Sequence, residues 1–189
     1  MLYKTGGAQP NLNVDKIKNL KVQLPSLPTQ QKGWCHKKIG ECGEVIGGGT
    51  PLTDIEEYWG GSIPWITSAD LSDFKYIYIA KGSLNITELG LKKSSAKLMP
   101  KNTILLSSRA PVGYVAIAHN EISTNQGFKS VICNEELLNY AYLFYFLKLN
   151  TVALQNFVTG ATFPELSGTM LKRIKILLPD IGLQKNSVI

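Results

Sequence analysis

The chain is poor in the residues that carry chemistry. Its 189 residues include three cysteines, Cys35, Cys42 and Cys133, and two histidines, His36 and His119. An odd cysteine count argues against the disulfide framework of a small secreted protein. Cys35, His36 and Cys42 cluster in sequence, but their spacing is not that of a zinc site. Cys42 also falls on an apolar pattern, so no metal site is expected. Long apolar runs are missing too. The longest, residues 141–147, is too short to span a bilayer, and the opening MLYKTGG lacks the apolar stretch of a signal peptide. These absences lead to the expectation of a cytoplasmic protein with no membrane partner.

Catalytic signatures are equally scarce. There is no GxxxxGK[ST] phosphate loop, and Gly47-Gly48-Gly49-Thr50, followed by Pro51, reads as a turn. An NPPY-like motif for adenine methylation is absent, and no Ser-His-Asp or Cys-His set is legible from spacing. Asp73-Phe74-Lys75 matches half of a nuclease metal site but lacks a well-placed partner acid. Neither enzymatic activity nor a cofactor is expected.

What is present is an ordinary globular composition with a basic balance. Hydrophobic residues make up 44% and charged residues 18%, which suits one domain with a sizeable core. The formal charge of +6 favours a polyanionic partner. The Lys and Arg residues are scattered, a distribution that equally describes a solvated basic surface.

The chain also repeats its opening at its end. Residues 5–32 read TGGAQPNLNVDKIKNLKVQLPSLPTQQK and residues 159–186 read TGATFPELSGTMLKRIKILLPDIGLQKN. The two align without a gap. Thr5/Thr159, Gly6/Gly160, Pro10/Pro164, Leu12/Leu166, Lys18/Lys172, Lys21/Lys175, Leu24/Leu178, Pro25/Pro179 and Gln30/Gln184 are identical. Copies at both edges suggest a piece of a tandem array. Residues 1–33 then read as the tail and linker of a preceding unit, and 34–189 as one whole unit. The two tails should compete for one place, and the second should win because it closes a shorter loop. The first is left as an extra layer, as a contact in a homodimer, or as a mobile segment.

Short strands mixed with one long buried helix predict a single α+β domain. Strands are expected at 20–24, 62–66, 74–79, 103–107, 112–118, 122–133 (interrupted at Gly127) and 174–178. A helix is expected at 34–46, a brief one capped by Thr87 at 88–91, and the long one from a cap at Asn134 to about residue 157. Residues 100–102 read as a turn.

Four segments in order carry a resemblance. They are GGGTP…YWGGSIPWITSADL (47–71), ITELGLKKSSAKLMPKNTILLSSRAPVGYVAI (86–117), STNQGFKSVI (123–132), and the tail with its P-x-x-x-x-Q ending. Together the chain resembles a target recognition domain of the specificity subunit of type I restriction-modification systems. The resemblance implies sequence-specific reading of one half of a bipartite site in double-stranded DNA. It also implies assembly with methyltransferase and restriction subunits, and no catalysis by the subunit itself. In that family the P-x-x-x-x-Q segment opens a long spacer helix. Here residues 25–30 run into Gly33-Trp34 and the chain ends soon after 179–184, so both spacer helices are expected to be absent and methyltransferase binding weakened.

Candidate contacts follow, each with two readings. Lys75, Tyr76, Tyr78 and Lys81 interleave basic and aromatic groups outside the shared motifs, where variable readout belongs. They also fit an exposed strand face. Lys92, Lys93, Ser94, Ser95 and Lys97 suit phosphate contacts. Ser108 and Arg109 end a strand, and Arg109 fits a phosphate, a guanine edge, or a structural salt bridge or backbone contact. Gln126 can read adenine, or it can belong to scaffold. Asp70 can orient a DNA-reading loop or cap a turn. Tyr140, Tyr142, Phe144, Tyr145 and Phe146 lie together on one helix and read as core.

Overall fold

The computed structural model describes residues 33–109, 111–158 and 165–187. The first tail copy, with its expected strand at 20–24, lies outside the described residues. In chain order the elements are β1 (Cys35–Lys38), α1 (Ile39–Cys42), β2 (Gly43–Gly47), β3 (Trp59–Ile66), β4 (Tyr78–Ile79), β5 (Leu84–Ile86) and α2 (Glu88–Lys92). Then come β6 (Ile104–Ser108), β7 (Val112–Ala118), β8 (Ser123–Thr124), β9 (Lys129–Cys133), α3 (Tyr140–Leu149), α4 (Thr151–Val158), α5 (Gly168–Arg173), β10 (Lys175–Leu178) and α6 (Ile181–Asn186).

Strands buried along almost their whole length fit a sheet covered on both faces, and β6 and β7 are such strands. They lie inside a five-stranded sheet of order β2-β9-β6-β7-β4. Alternation divides their side chains between two cores. Ile104, Leu106, Val115 and Ile117 face α1, α3, α4 and α5, whereas Leu105, Ala116 and Ala118 face Ile66, Leu71, Met99 and Phe128. A second sheet, β5-β3-β8, covers a smaller cluster of Ile63, Trp65, Ile86 and Ala96. The α+β class is therefore as the sequence implied.

Several local expectations hold. Thr87 caps α2, its Oγ1 accepting from Gly90 N at 3.0 Å. Asn102 turns the chain into β6 with φ of 69°, a left-handed position that Asn tolerates. The interruption at Gly127 is more than a break, because β8 and β9 belong to different sheets.

Three expectations are corrected by tertiary pairing. Residues 34–46 are not one helix: β1 pairs with β10 and β2 with β9, leaving only the four residues of α1 between them. Ile39 and Cys42 still face the core, which is the apolar pattern the sequence displayed. Of residues 74–79, only Tyr78–Ile79 form a strand, because this short edge runs parallel to β7 and pairs with it only at Ile117–Ala118. The long helix is two. Residues 135–137 form a turn, and Asn139 takes the cap expected of Asn134, its side chain accepting from Ala141 N and Tyr142 N. Asn150 then ends α3, its amide nitrogen donating to Phe146 O at 2.7 Å before α4 begins. Of the helix aromatics, Phe144 is buried, Tyr140, Tyr142 and Phe146 are half-buried against the same core, and Tyr145 is exposed.

The described part of the second tail copy is built into the domain. Leu166, Leu171, Ile176 and Leu178 are buried in the larger core. Gln184 is buried and links α6 to the start of α3. Its amide accepts from Asn139 N at 2.9 Å and donates to Leu137 O at 3.1 Å and Pro179 O at 2.9 Å. That latch is a physical reason for the P-x-x-x-x-Q pattern. Cys133, beside Cys42 in the core, has its thiol pushed up to about 12 by burial.

Candidate nucleic-acid interface

Strands β3 and β8 run parallel, so the loops after them leave in the same direction. Asn125 N donates to Ile66 O at 2.9 Å, which joins the two loops at their base. The Asn125 side chain then accepts from Gly127 N at 2.9 Å, and Ser108 N donates to Gly127 O at 2.7 Å, which brings in the end of β6. The end of β2 joins the same place, with Gly49 N donating to Thr124 O at 2.9 Å.

The glycines permit this convergence. A Cβ on Gly48 would overlap the Asn125 carbonyl and the Thr124 hydroxyl, and one on Gly49 would overlap the backbone of Ser95 and Ala96. Trp65 locks the loop from below, its indole N–H donating to Gly49 O at 2.9 Å. The glycine run is thus more than the turn its sequence suggested: it is the point where four segments meet.

On this rim the structure gathers Arg109, Gln126 and Ser95. Arg109 is exposed and lies beside Gly127, about as close as 3.6 Å to where a Cβ would stand. It forms no ion pair among the described residues. Gln126 is exposed, and Thr50, which sequence reasoning missed, donates its hydroxyl to Gln126 Oε1. No local signal linked Thr50 to a residue so distant in sequence. Ser108 is corrected: it is fully buried, its backbone held by Gly127 and Leu166, so it supports Arg109 and does not itself face a ligand. Ser94 is engaged in turning the chain after α2, through bonds with Leu91 O and Ala96 N.

The remaining candidates lie elsewhere. Tyr78 pairs with Ile117 at the far end of β7, whereas Ser108 pairs with Val112 at its near end, so the two are separated by most of that strand. Tyr78 stacks edge-on against His119, and burial, followed by the Tyr140 hydroxyl, pushes its phenol up. Tyr76 is 77% exposed and meets Phe74 edge-to-face, with Lys75 and Lys81 exposed near it in sequence. Lys92 and Lys93 end α2, and Lys92 lines a groove of about 820 Å³ whose walls also carry Glu88 and Glu121. Lys97 is exposed beyond it. Asp73 is exposed, and among the described residues no three His, Cys, Asp or Glu side chains gather to hold a metal.

Asp70 caps the turn after β3 and reaches across to the chain before β5. Its Oδ2 accepts from Thr67 N at 2.8 Å and Thr67 Oγ1 at 2.7 Å, and its Oδ1 accepts from Ser83 N at 2.8 Å. Burial raises its carboxyl, but the Thr67 and Ser83 hydrogen bonds outweigh burial and hold it below the ordinary 3.8. A depressed carboxyl contributes stability that is present above the unfolded value and lost as pH falls through the folded one. The Asp70 bonds should therefore persist at neutral pH and open only in acid. A carboxyl NMR titration with its midpoint at or above the ordinary value would contradict this.

Comparisons with known proteins identify the family of the chain. The sequence matches the type I restriction modification DNA specificity domain over residues 31–189. It is 51% identical over 151 residues to the type I restriction enzyme MjaIX specificity subunit of Methanocaldococcus jannaschii, covering 79% of this chain and 35% of that one. A type I specificity subunit of Escherichia coli is 29% identical over 187 residues, covering 96% of this chain and 45% of that one. The chain thus spans less than half the length of these relatives. The crystal structure of the HsdS subunit from Thermoanaerobacter tengcongensis shares the fold, with a TM-score of 0.64 at 21% identity, covering 90% of this chain and 37% of that one. By the extent of the first match and the shared fold, the chain belongs to the type I restriction modification DNA specificity domain family.

Proposed function

We propose that this chain binds duplex DNA and reads one half of a bipartite target for a type I restriction-modification complex, without catalysing a reaction itself. The observation that supports this best is the rim, where buried backbone bonds hold Arg109 and Gln126 outward on loops from two different sheets. A guanidinium and an amide are the groups that address guanine and adenine edges in the major groove. Lys92, Lys93 and Lys97 supply charge for phosphate contacts, and Lys75, Tyr76, Tyr78 and Lys81 form a second contact region. The complete subunit would assemble with methyltransferase and restriction subunits in the cytoplasm. Residues 1–33 act as the tail of a preceding unit, and 34–189 as the recognition unit.

Binding should be salt-dependent, since the +6 charge releases counterions from DNA. Changing Lys92 and Lys93 to Ala should weaken all sequences alike and reduce the salt slope by about 2. Arg109→Ala should cost about 1–3 kcal/mol and relax preference at one position. Fluorescence anisotropy across salt and sequence separates the two. An affinity flat from low to physiological salt would refute the reading.

A further inference from the structure

Resting on the DNA-reading function proposed above, we infer that Asp70 is a positioning residue that sets where residues 72–83 stand against DNA. Three observations carry this. First, the carboxylate bonds both ways across the base of that excursion, to Thr67 just after β3 and to Ser83 just before β5. It closes the segment as a staple closes a loop. Second, no space is left for drift at the staple, because a Cβ on Gly82 would lie 2.9 Å from Asp70 Oδ2 and 3.0 Å from Ile66 Cδ1. Third, the stapled segment is weakly held elsewhere. It is pinned by Phe74, half-buried against the Leu71 and Phe128 cluster, by buried Ile79 and by the two-residue edge strand β4, while Tyr76, Tyr78, Lys75 and Lys81 are exposed. Exposed aromatic and basic side chains on a segment with few anchors take their position from those anchors.

Asp70 itself bonds to the protein's own N–H and O–H groups, so its effect on DNA passes through the loop. Thr67 adjoins Ile66, whose carbonyl accepts from Asn125 N, so the staple also ties the excursion to the rim that bears Gln126. The loop after β3 therefore registers one contact region against the other.

The test uses the full chain and two variants that strain the staple differently. Asp70→Asn keeps an acceptor for Thr67 but replaces the other carboxylate oxygen with an amide nitrogen, so one of the three bonds fails. Gly82→Ala leaves Asp70 intact and displaces the loop sterically. Each is scored by thermal unfolding and by selection of bound duplexes from a random pool. Both variants should remain folded, keep their affinity for random-sequence DNA within about twofold, and lose preference at the same base positions. Those positions should also be the ones altered by Tyr76→Ala. Unchanged base preference in a folded variant overturns the inference. A uniform loss at every position also overturns it, since that marks a merely structural residue. Should either variant unfold, the other decides. If the unmodified chain selects no sequence at all, the underlying function fails and the positioning role with it; a selective parent with unaffected variants sinks the positioning role alone.

Discussion

Removal of residues 160–189 is expected to abolish cooperative thermal unfolding, whereas removal of residues 1–32 leaves a folded domain. Leu166, Leu171 and Ile176 are fully buried and Leu178 nearly so. Burying one such side chain contributes about 1.5–3 kcal/mol. Four together approach the net stability of a whole domain, about 5–15 kcal/mol. The cut also strips β1 of its partner β10 and leaves Asn139 N and Leu137 O without Gln184. β10 pairs with β1 at the opposite end of the domain's sequence, a contact beyond the short loop invoked from sequence. Burial and pairing hold it there. Calorimetry of the two truncations checks the expectation. A greater loss on removing residues 1–32 would reverse the order. A cooperative melt after removal of 160–189 would mean that the first copy, with its matching Leu12, Ile17, Val22 and Leu24, can serve in place of the second.

Gly49→Ala should be severely damaging on the rim. The new methyl meets the Ser95 and Ala96 backbone, which cannot rotate away as a flexible side chain can. Overpacking in a fixed site costs about 1–3 kcal/mol and more where backbone must move. For a domain of this size a 3 kcal/mol loss lowers Tm by about 6–12 °C. DNA binding should fall further than stability alone accounts for, because Gly49 also holds Trp65 and Thr124. Gly47→Ala is the control, since nothing lies within 4 Å of its added Cβ. Equal melting of the two variants would show that the glycine cradle is dispensable.

Local chemistry was legible wherever it was self-contained. The Thr87 cap, the Asn102 turn and the hairpin of β6 and β7 each depend on neighbours in sequence, so residue type and period sufficed. The repeat and the ordered motifs pointed to the family before any pairing was known. Residues 34–46 were misread because helix and strand compete there on similar local terms. The decision came from β9 and β10, more than eighty residues away in sequence. Asn139 displaced Asn134 as the cap because Gln184, at the other end of the domain, also holds the Asn139 backbone.

The candidate contacts divide along the same line. Composition and motif alone determined that this is a basic sequence with Arg109, Gln126 and the lysines as its polar candidates. Only the tertiary structure decided that Ser108 is buried, that Tyr78 lies at the far end of β7 from Arg109, and that Thr50 meets Gln126. The physical reason is that a side chain's type is a property of one residue. Its exposure and neighbours are set by strand register and by glycine-permitted backbone contacts between segments that sequence distance keeps apart.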